Sequence, residues 1–289
     1  MSAIASRPRR RRRERDNSVG PIRVIVGTIA ALIFSVPLYL VIVNVFKPTS
    51  EIFESPAALP RNPTLGNFAS VLSRSDGLYW NGLINSTQIT VISVLVTILL
   101  ASMSAYYLAR NTGKVTQIIV VLVVLGMMIP GAVIIQPIIQ ILLAAGLIGT
   151  IPGLILVNIA SNLPFAILVF LGFVRSIPIE LEQAAAVDGA GPFRIFWQIV
   201  FPLMRPAAAT VLIFVAVGVW NDFIMPLILL GPGNGTTVTV GVYRSVSKYV
   251  SDFGAVFAFM LLATIPILIL FLFFQRYFVK GLMSGATKG

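Results

Sequence analysis

Ala145-Gly146-Leu147-Ile148-Gly149-Thr150-Ile151-Pro152-Gly153 interrupts a window, Val115 to Val174, that contains no Asp, Glu, Lys or Arg. About 20 apolar residues in a helix cross a bilayer core, so the window is too long for one crossing. Its glycines and proline break it into two helices joined by a turn. Similar charge-free windows run from Val24 to Phe46, Gly77 to Ala109, Pro206 to Asn221 and Phe253 to Gln275, and the fourth continues past Asp222 to Leu230. Together they predict six spans, near 24–46, 85–109, 116–141, 152–174, 207–230 and 254–275. Hydrophobic residues make up 57% of the chain and charged residues 11%, against roughly 25% charged in a soluble domain. The expected fold is all-α: a polytopic membrane protein with six transmembrane helices and a folded cytoplasmic loop.

The distribution of Lys and Arg orients these spans. One side carries Arg7, Arg9 to Arg13, Arg15, Arg23, Arg110, Lys114, Arg175, Arg194, Arg205, Arg276, Lys280 and Lys288. The other carries Lys47, Arg61, Arg74, Arg244 and Lys248. This bias places both termini in the cytoplasm. The division is then an Arg-rich cytoplasmic tail (1–23), a membrane domain (24–278) with a cytoplasmic loop at 175–206, and a cytoplasmic C-terminal tail (279–289). Much of the net charge of +11 sits in the Arg7–Arg15 run, which suits anionic lipid headgroups. A nucleic-acid partner would need a folded reader, which the tail does not offer.

The chain contains no Cys and no His, which excludes disulfides, Cys/His zinc sites and Ser-His or Cys-His nucleophiles. No G-x-x-x-x-G-K-[ST] loop is present, so the chain is not expected to hydrolyse nucleotide itself or to act as an enzyme. The external loop from Lys47 to Tyr79, rich in proline, reads as extended stretches and turns, a connector or a contact for an external partner. A later loop from Gly231 to Gly241 reads as flexible and then β-prone. Prolines 37, 130, 137, 164, 226 and 266 fall inside spans, and kinks at Pro130 and Pro137 would open space in the membrane.

Between the fourth and fifth spans stands Pro178-Ile179-Glu180-Leu181-Glu182-Gln183-Ala184-Ala185-Ala186-Val187-Asp188-Gly189-Ala190, continuing to Ile199-Val200-Phe201-Pro202. A connector needs only a few residues, so an insert this long reads as a docking surface. Glu180 to Asp188 predicts a short helix, with Pro178 at its start, acidic residues in the first turn, and alanines to propagate it. Gly189 ends it in the left-handed conformation. A second helix starts near Pro192 and places Phe193, Phe196, Trp197 and Val200 on one face. The small residues Ala184 and Ala185 let another backbone approach, and Glu182 and Asp188 are candidate polar contacts for that partner.

This segment resembles the cytoplasmic loop of bacterial ABC importer permeases, E-A-A, three residues, G, nine residues, I-x-L-P. Gly189, Ile199 and Pro202 keep the spacing; Gln183 stands at the glutamate position, with Glu182 just before it, and Phe201 replaces the leucine. Tyr79-Trp80-Asn81-Gly82, Ser104-Ala105-Tyr106-Tyr107-Leu108-Ala109-Arg110, Met127-Met128-Ile129-Pro130, Trp220-Asn221-Asp222-Phe223 and the ending from Gln275 to Gly289 are similar to maltose-permease-type carbohydrate permeases. The resemblance implies an inner-membrane heteromer of this chain, a second homologous permease, two ATPase subunits that hold ATP and Mg, and an extracytoplasmic solute-binding protein. This chain would bind no cofactor. Glu182, Gln183, Ala184, Ala185, Asp188, Gly189 and Pro202 would form the ATPase-coupling element, and a sugar or oligosaccharide would be the cargo.

An ionisable residue within a span is a functional candidate, and Asp222 is the one here, about 22 Å along the fifth span. Asn221 and Trp220 adjoin it, while Gln136, Gln140, Asn158, Ser161 and Asn162 fall at middle to outer depths. Amides and a carboxylate suit sugar hydroxyls, and Trp220 or Phe223 would stack on a ring. The same polar groups also serve to hold helices together. The competing class is a secondary transporter or channel acting without an ATPase, which predicts coupling-ion carboxylates or inverted repeats.

Overall fold

In a bilayer the backbone must satisfy its own polar groups, and apolar runs do so as helices. The computed structural model describes residues 21–231, 235–248 and 252–286, with side chains described at 22, 24–231, 235–246 and 252–274, and shows no strand among them. The Arg7–Arg15 run and the side chains of the 279–289 tail lie outside the described residues. Helices α1 (Pro21–Val45), α2 (Thr49–Glu54) and α3 (Gly66–Leu72) lead to α4 (Leu78–Arg110). Then come α5 (Lys114–Met128), α6 (Gly131–Ala144) and α7 (Ile151–Arg175). The insert forms α8 (Glu180–Val187), α9 (Pro192–Ile195), a π-helical turn (Phe196–Val200) and α10 (Phe201–Leu203). The chain ends in α11 (Arg205–Asn221), α12 (Ile224–Leu230), α13 (Val238–Lys248) and α14 (Phe253–Ala286).

Four helices, α1, α4, α7 and α14, are long and apolar enough to cross a membrane, and there are six spans if each of two bent helix pairs counts as one. The third span is the first of these. Instead of a gentle kink, α5 and α6 meet at 104°. Pro130 has no N–H to donate and excludes the preceding residue from the helical region, and Ile129 and Pro130 are both extended (ψ 117° and 131°). Pro137 stays inside α6 without breaking it. The fifth span also departs from the expected single helix. It is interrupted at Asp222 and Phe223, and at its cytoplasmic end α11 turns 72° away from the second half of the insert.

Both external segments are more ordered than expected. In place of extended stretches, residues 47–77 form α2 and α3 around three buried polar side chains. Lys47 Nζ donates to Ser55 O at 2.8 Å, Glu51 accepts from the Arg61 and Asn62 amides, and Asn67 Nδ2 donates to Val45 O and Lys47 O. Thr49 Oγ1 donates to Asp252 Oδ1, which ties this segment to the start of α14. The β-prone Val238–Gly241 is helical in α13. Val238, Val240 and Ser245 are buried where α13 packs on α4 and α14, and that burial outweighs strand propensity. Gly241 is required there, because a Cβ would sit 2.7 Å from the Phe259 ring.

The main core lies between α4, α7 and α11. Ser86, Thr90, Ser93, Thr97, Ala101 and Ala105 bury one side of α4, and small residues of this kind let membrane helices approach closely. The core continues without interruption into Ile195, Phe196, Val200 and Met204 of the insert. The insert is therefore part of the same packed body as the spans, a condition for transmitting movement.

Candidate functional site

The insert forms as its local chemistry requires. Gly189 takes φ +82° and ends α8, and Pro192 sits at the start of α9. Beyond this, the structure corrects three expectations. Phe193 is not on the packed face with Phe196 and Val200: it is 72% exposed, and Ile195 is buried instead. The π turn at Phe196–Val200 shifts the register that a 3.6-residue period would impose. Trp197 is half-buried and stacks edge-on to Phe196 at 5.0 Å.

The third correction concerns Glu182. Expected as a polar contact for another protein, it is buried and turned inward, onto the cytoplasmic end of the second span. Tyr106 Oη donates to Glu182 Oε2 at 2.8 Å, and Arg110 Nε donates to Oε1 at 2.8 Å. Arg110 Nη2 lies 2.6 Å from the same Oε1 and donates to Ile177 O at 3.0 Å. One carboxylate thus fastens α8 to α4, and the same guanidinium holds the chain leading into α8. Tyr106 and Arg110 were missed as site residues because Arg110 reads as a topology anchor. Their i, i+4 spacing at a span end, facing an insert with one inward acid, was the available signal.

With Glu182 turned inward, the exposed residues of α8 and its end are Glu180, Leu181, Gln183, Ala184, Ala186, Val187, Asp188 and Gly189, with Ala185 partly covered. Val187 is 88% exposed. Pro202 is half-buried in α10, away from that surface. The result is a knob of small and apolar residues carrying two exposed carboxylates, Glu180 and Asp188, fastened to α4 through Glu182 and suited to seat in a partner's groove.

The candidate substrate-path residues are less unified. A cavity of about 370 Å³ lies between α11, α13 and α14, lined by Trp220, Asn221, Phe223, Thr239, Tyr243 and Thr264 among others. Trp220 is not free to stack on a sugar: it is buried and its Nε1 donates to Ala263 O at 3.2 Å. The aromatic surface comes instead from Phe223 and Tyr243, whose rings are 5.3 Å apart, with Tyr243 57% exposed. Asp222 does not line this cavity. Its Oδ1 accepts from the Met225 amide at 3.4 Å at the start of α12, and its carbonyl accepts from Thr239 Oγ1 at 2.6 Å, so it holds the break in the fifth span. Asn158 is buried in α7 and donates to Leu154 O, and Asn162 donates to Asn158 O. Gln136 is exposed on α6. No hydrogen bond among the described residues joins Gln136 or Asn221 to the α7 amides.

Residues 97–284, the stretch that carries this insert and its anchor on α4, match the family model described as binding-protein-dependent transport system inner membrane component. The chain belongs to that family. It is a multi-pass inner-membrane permease subunit of an ABC importer, with relatives along nearly its full length. The melibiose/raffinose/stachyose import permease protein MelC of Bacillus subtilis is 33% identical, covering 96% of this chain and 100% of that protein. The multiple sugar-binding transport system permease protein MsmG of Streptococcus mutans is 33% identical, covering 92% and 96%. A crystal structure of a bacterial ABC transporter involved in import of the acidic polysaccharide alginate shares the fold, with a TM-score of 0.79 at 20% identity, covering 89% of this chain and 95% of that one.

Proposed function

We propose that this permease subunit carries a sugar or oligosaccharide inward, with α8 as the element through which ATPase subunits drive it. It pairs with a second, homologous permease, receives cargo from the extracytoplasmic binding protein, and works with two ATPase subunits that hold ATP and Mg. In this reading both termini are cytoplasmic, which the Lys and Arg bias supports. The observation that carries this reading is the Glu182–Arg110–Tyr106 cluster. A force applied to the exposed side of α8 passes through a buried ion pair to the end of a 33-residue helix, whose other end packs at the outer face.

The outer cavity supports a neutral cargo. Asn221 keeps one N–H and its amide oxygen, and the Thr239 and Thr264 hydroxyl oxygens remain as acceptors because their protons go to Asp222 O and Met260 O. Phe223 and Tyr243 offer ring faces, and no charged residue lines the cavity. The sugar specificity of the named relatives agrees with that chemistry. The test is ATP hydrolysis by the complete complex in lipid, with its binding protein and a panel of sugars. Stimulation by particular loaded sugars is expected and names the cargo. Hydrolysis indifferent to every sugar, with stimulation by a charged solute, would overturn the reading.

A further inference from the structure

We propose that a second cavity, at the cytoplasmic ends of α4, α5 and α7, binds the headgroup of an anionic phospholipid of the inner leaflet. Its volume is about 480 Å³, and it is lined by Leu108, Ala109, Asn111, Thr112, Thr116, Gln117, Val120, Val121 and Arg175. α4 ends at Arg110, α5 starts at Lys114 and α7 ends at Arg175, so the cavity lies where these helices leave the membrane. Its lining divides in the same sense as a lipid. Asn111, Thr112, Gln117 and Arg175 are polar and exposed, while Leu108, Val120 and Val121 continue along the helices toward the membrane interior.

The charge balance selects an anion. Between Asp76 and Glu180 the sequence has no Asp or Glu, so α4, α5, α6 and α7 bring no carboxylate to this site. The one acid that reaches this end of α4, Glu182, is spent on Arg110. No carboxylate pairs with Arg175 or Lys114 among the described residues. A basic cavity between helix ends on the cytoplasmic side is the setting in which anionic headgroups are recognised. Lateral access is open. α5 exposes Val115, Ile118, Val121 and Leu122, a surface along which an acyl chain can lie while the phosphate rests on Arg175. No residue from 176 to 206 lines the cavity, and none of the exposed residues of α8 does, which separates it from the ATPase-docking surface.

The complete complex, reconstituted in phosphatidylcholine vesicles doped with photo-crosslinkable phosphatidylglycerol, tests this by mapping the labelled peptides. Labelling is expected within 108–121 and beside Arg175. It should fall about fivefold in Arg175→Ala, recover in Arg175→Lys, and stay unchanged in Arg205→Ala, a cytoplasmic arginine outside the cavity. Val121→Trp, which fills the cavity without changing charge, should also reduce labelling. Equal labelling in wild type, Arg175→Ala and Val121→Trp would overturn the proposal. So would displacement of the lipid by inorganic phosphate alone, which would mark a free-phosphate site, or a crosslink from this cavity to an ATPase subunit in place of lipid.

Discussion

Glu182→Ala removes the carboxylate that fastens α8 to α4. Two charge-assisted hydrogen bonds are lost, from Tyr106 and from Arg110. Each such bond contributes about 1.5–3 kcal/mol. The ion-pair side chains are only 18% and 10% exposed, so solvent recovers little of that energy. Breaking a buried pair from one side costs about 3–5 kcal/mol, and the residual exposure of Arg110 places this case near the lower figure. About 3 kcal/mol corresponds to about a hundredfold loss in the ratio of fastened to detached α8. The outward surface of α8 is untouched, so the ATPase subunits should still bind while sugar uptake collapses and hydrolysis no longer responds to loaded binding protein. Uptake and stimulated hydrolysis in proteoliposomes read this directly. A cycle of Glu182→Ala, Arg110→Ala and the double variant isolates the pair: the double variant should be little worse than either single one. Additive losses, or normal coupled transport in Glu182→Ala, would refute the tether.

Gly189→Ala meets no neighbouring atom but must hold φ +82°, so it should lower thermal stability by about 1–2 kcal/mol and weaken coupling without abolishing ATPase binding. Gly241→Ala drives a Cβ into Phe259 and should cost about 1–3 kcal/mol in a thermal unfolding assay, partly restored by Phe259→Leu. Trp220→Phe loses the bond to Ala263 O, about 1 kcal/mol of stability, and leaves the KM for sugar nearly unchanged, whereas Tyr243→Ala raises that KM severalfold. Ala101→Leu, fully buried on α4, should overpack the helix core by about 1–3 kcal/mol and lower the yield of folded complex in membranes.

The spans were legible because charge is so costly in a bilayer that its absence alone marks them, and a helix 33 residues long such as α4 cannot be hidden by local detail. Breaks within spans were less legible. Pro130 produces a 104° turn and Pro137 stays inside α6, so the presence of a proline in an apolar run does not by itself tell a corner from a continuous helix. α13 carries Val, Thr and Gly, which favour strand or loop, and is helical because α4 and α14 bury it. The insert's helix, its end at Gly189 and its exposed alanines follow from local residues and were read correctly. Which way Glu182 faces depends on Arg110 and Tyr106, more than seventy positions away, and no local pattern within the insert encodes that. The same distance effect redirected Trp220, whose partner is the Ala263 carbonyl on α14.

The central claim is that the exposed side of α8 is where the ATPase subunits engage. The chain has no cysteine, so a single cysteine in place of Val187, 88% exposed, can carry a photo-reactive benzophenone in the assembled complex. The account predicts a crosslink to an ATPase subunit from Val187→Cys, its efficiency changing when ATP is trapped, and none from Ile141→Cys on α6. Crosslinks from position 187 to lipid or to other proteins alone, with the ATPase still present in the complex, would contradict it.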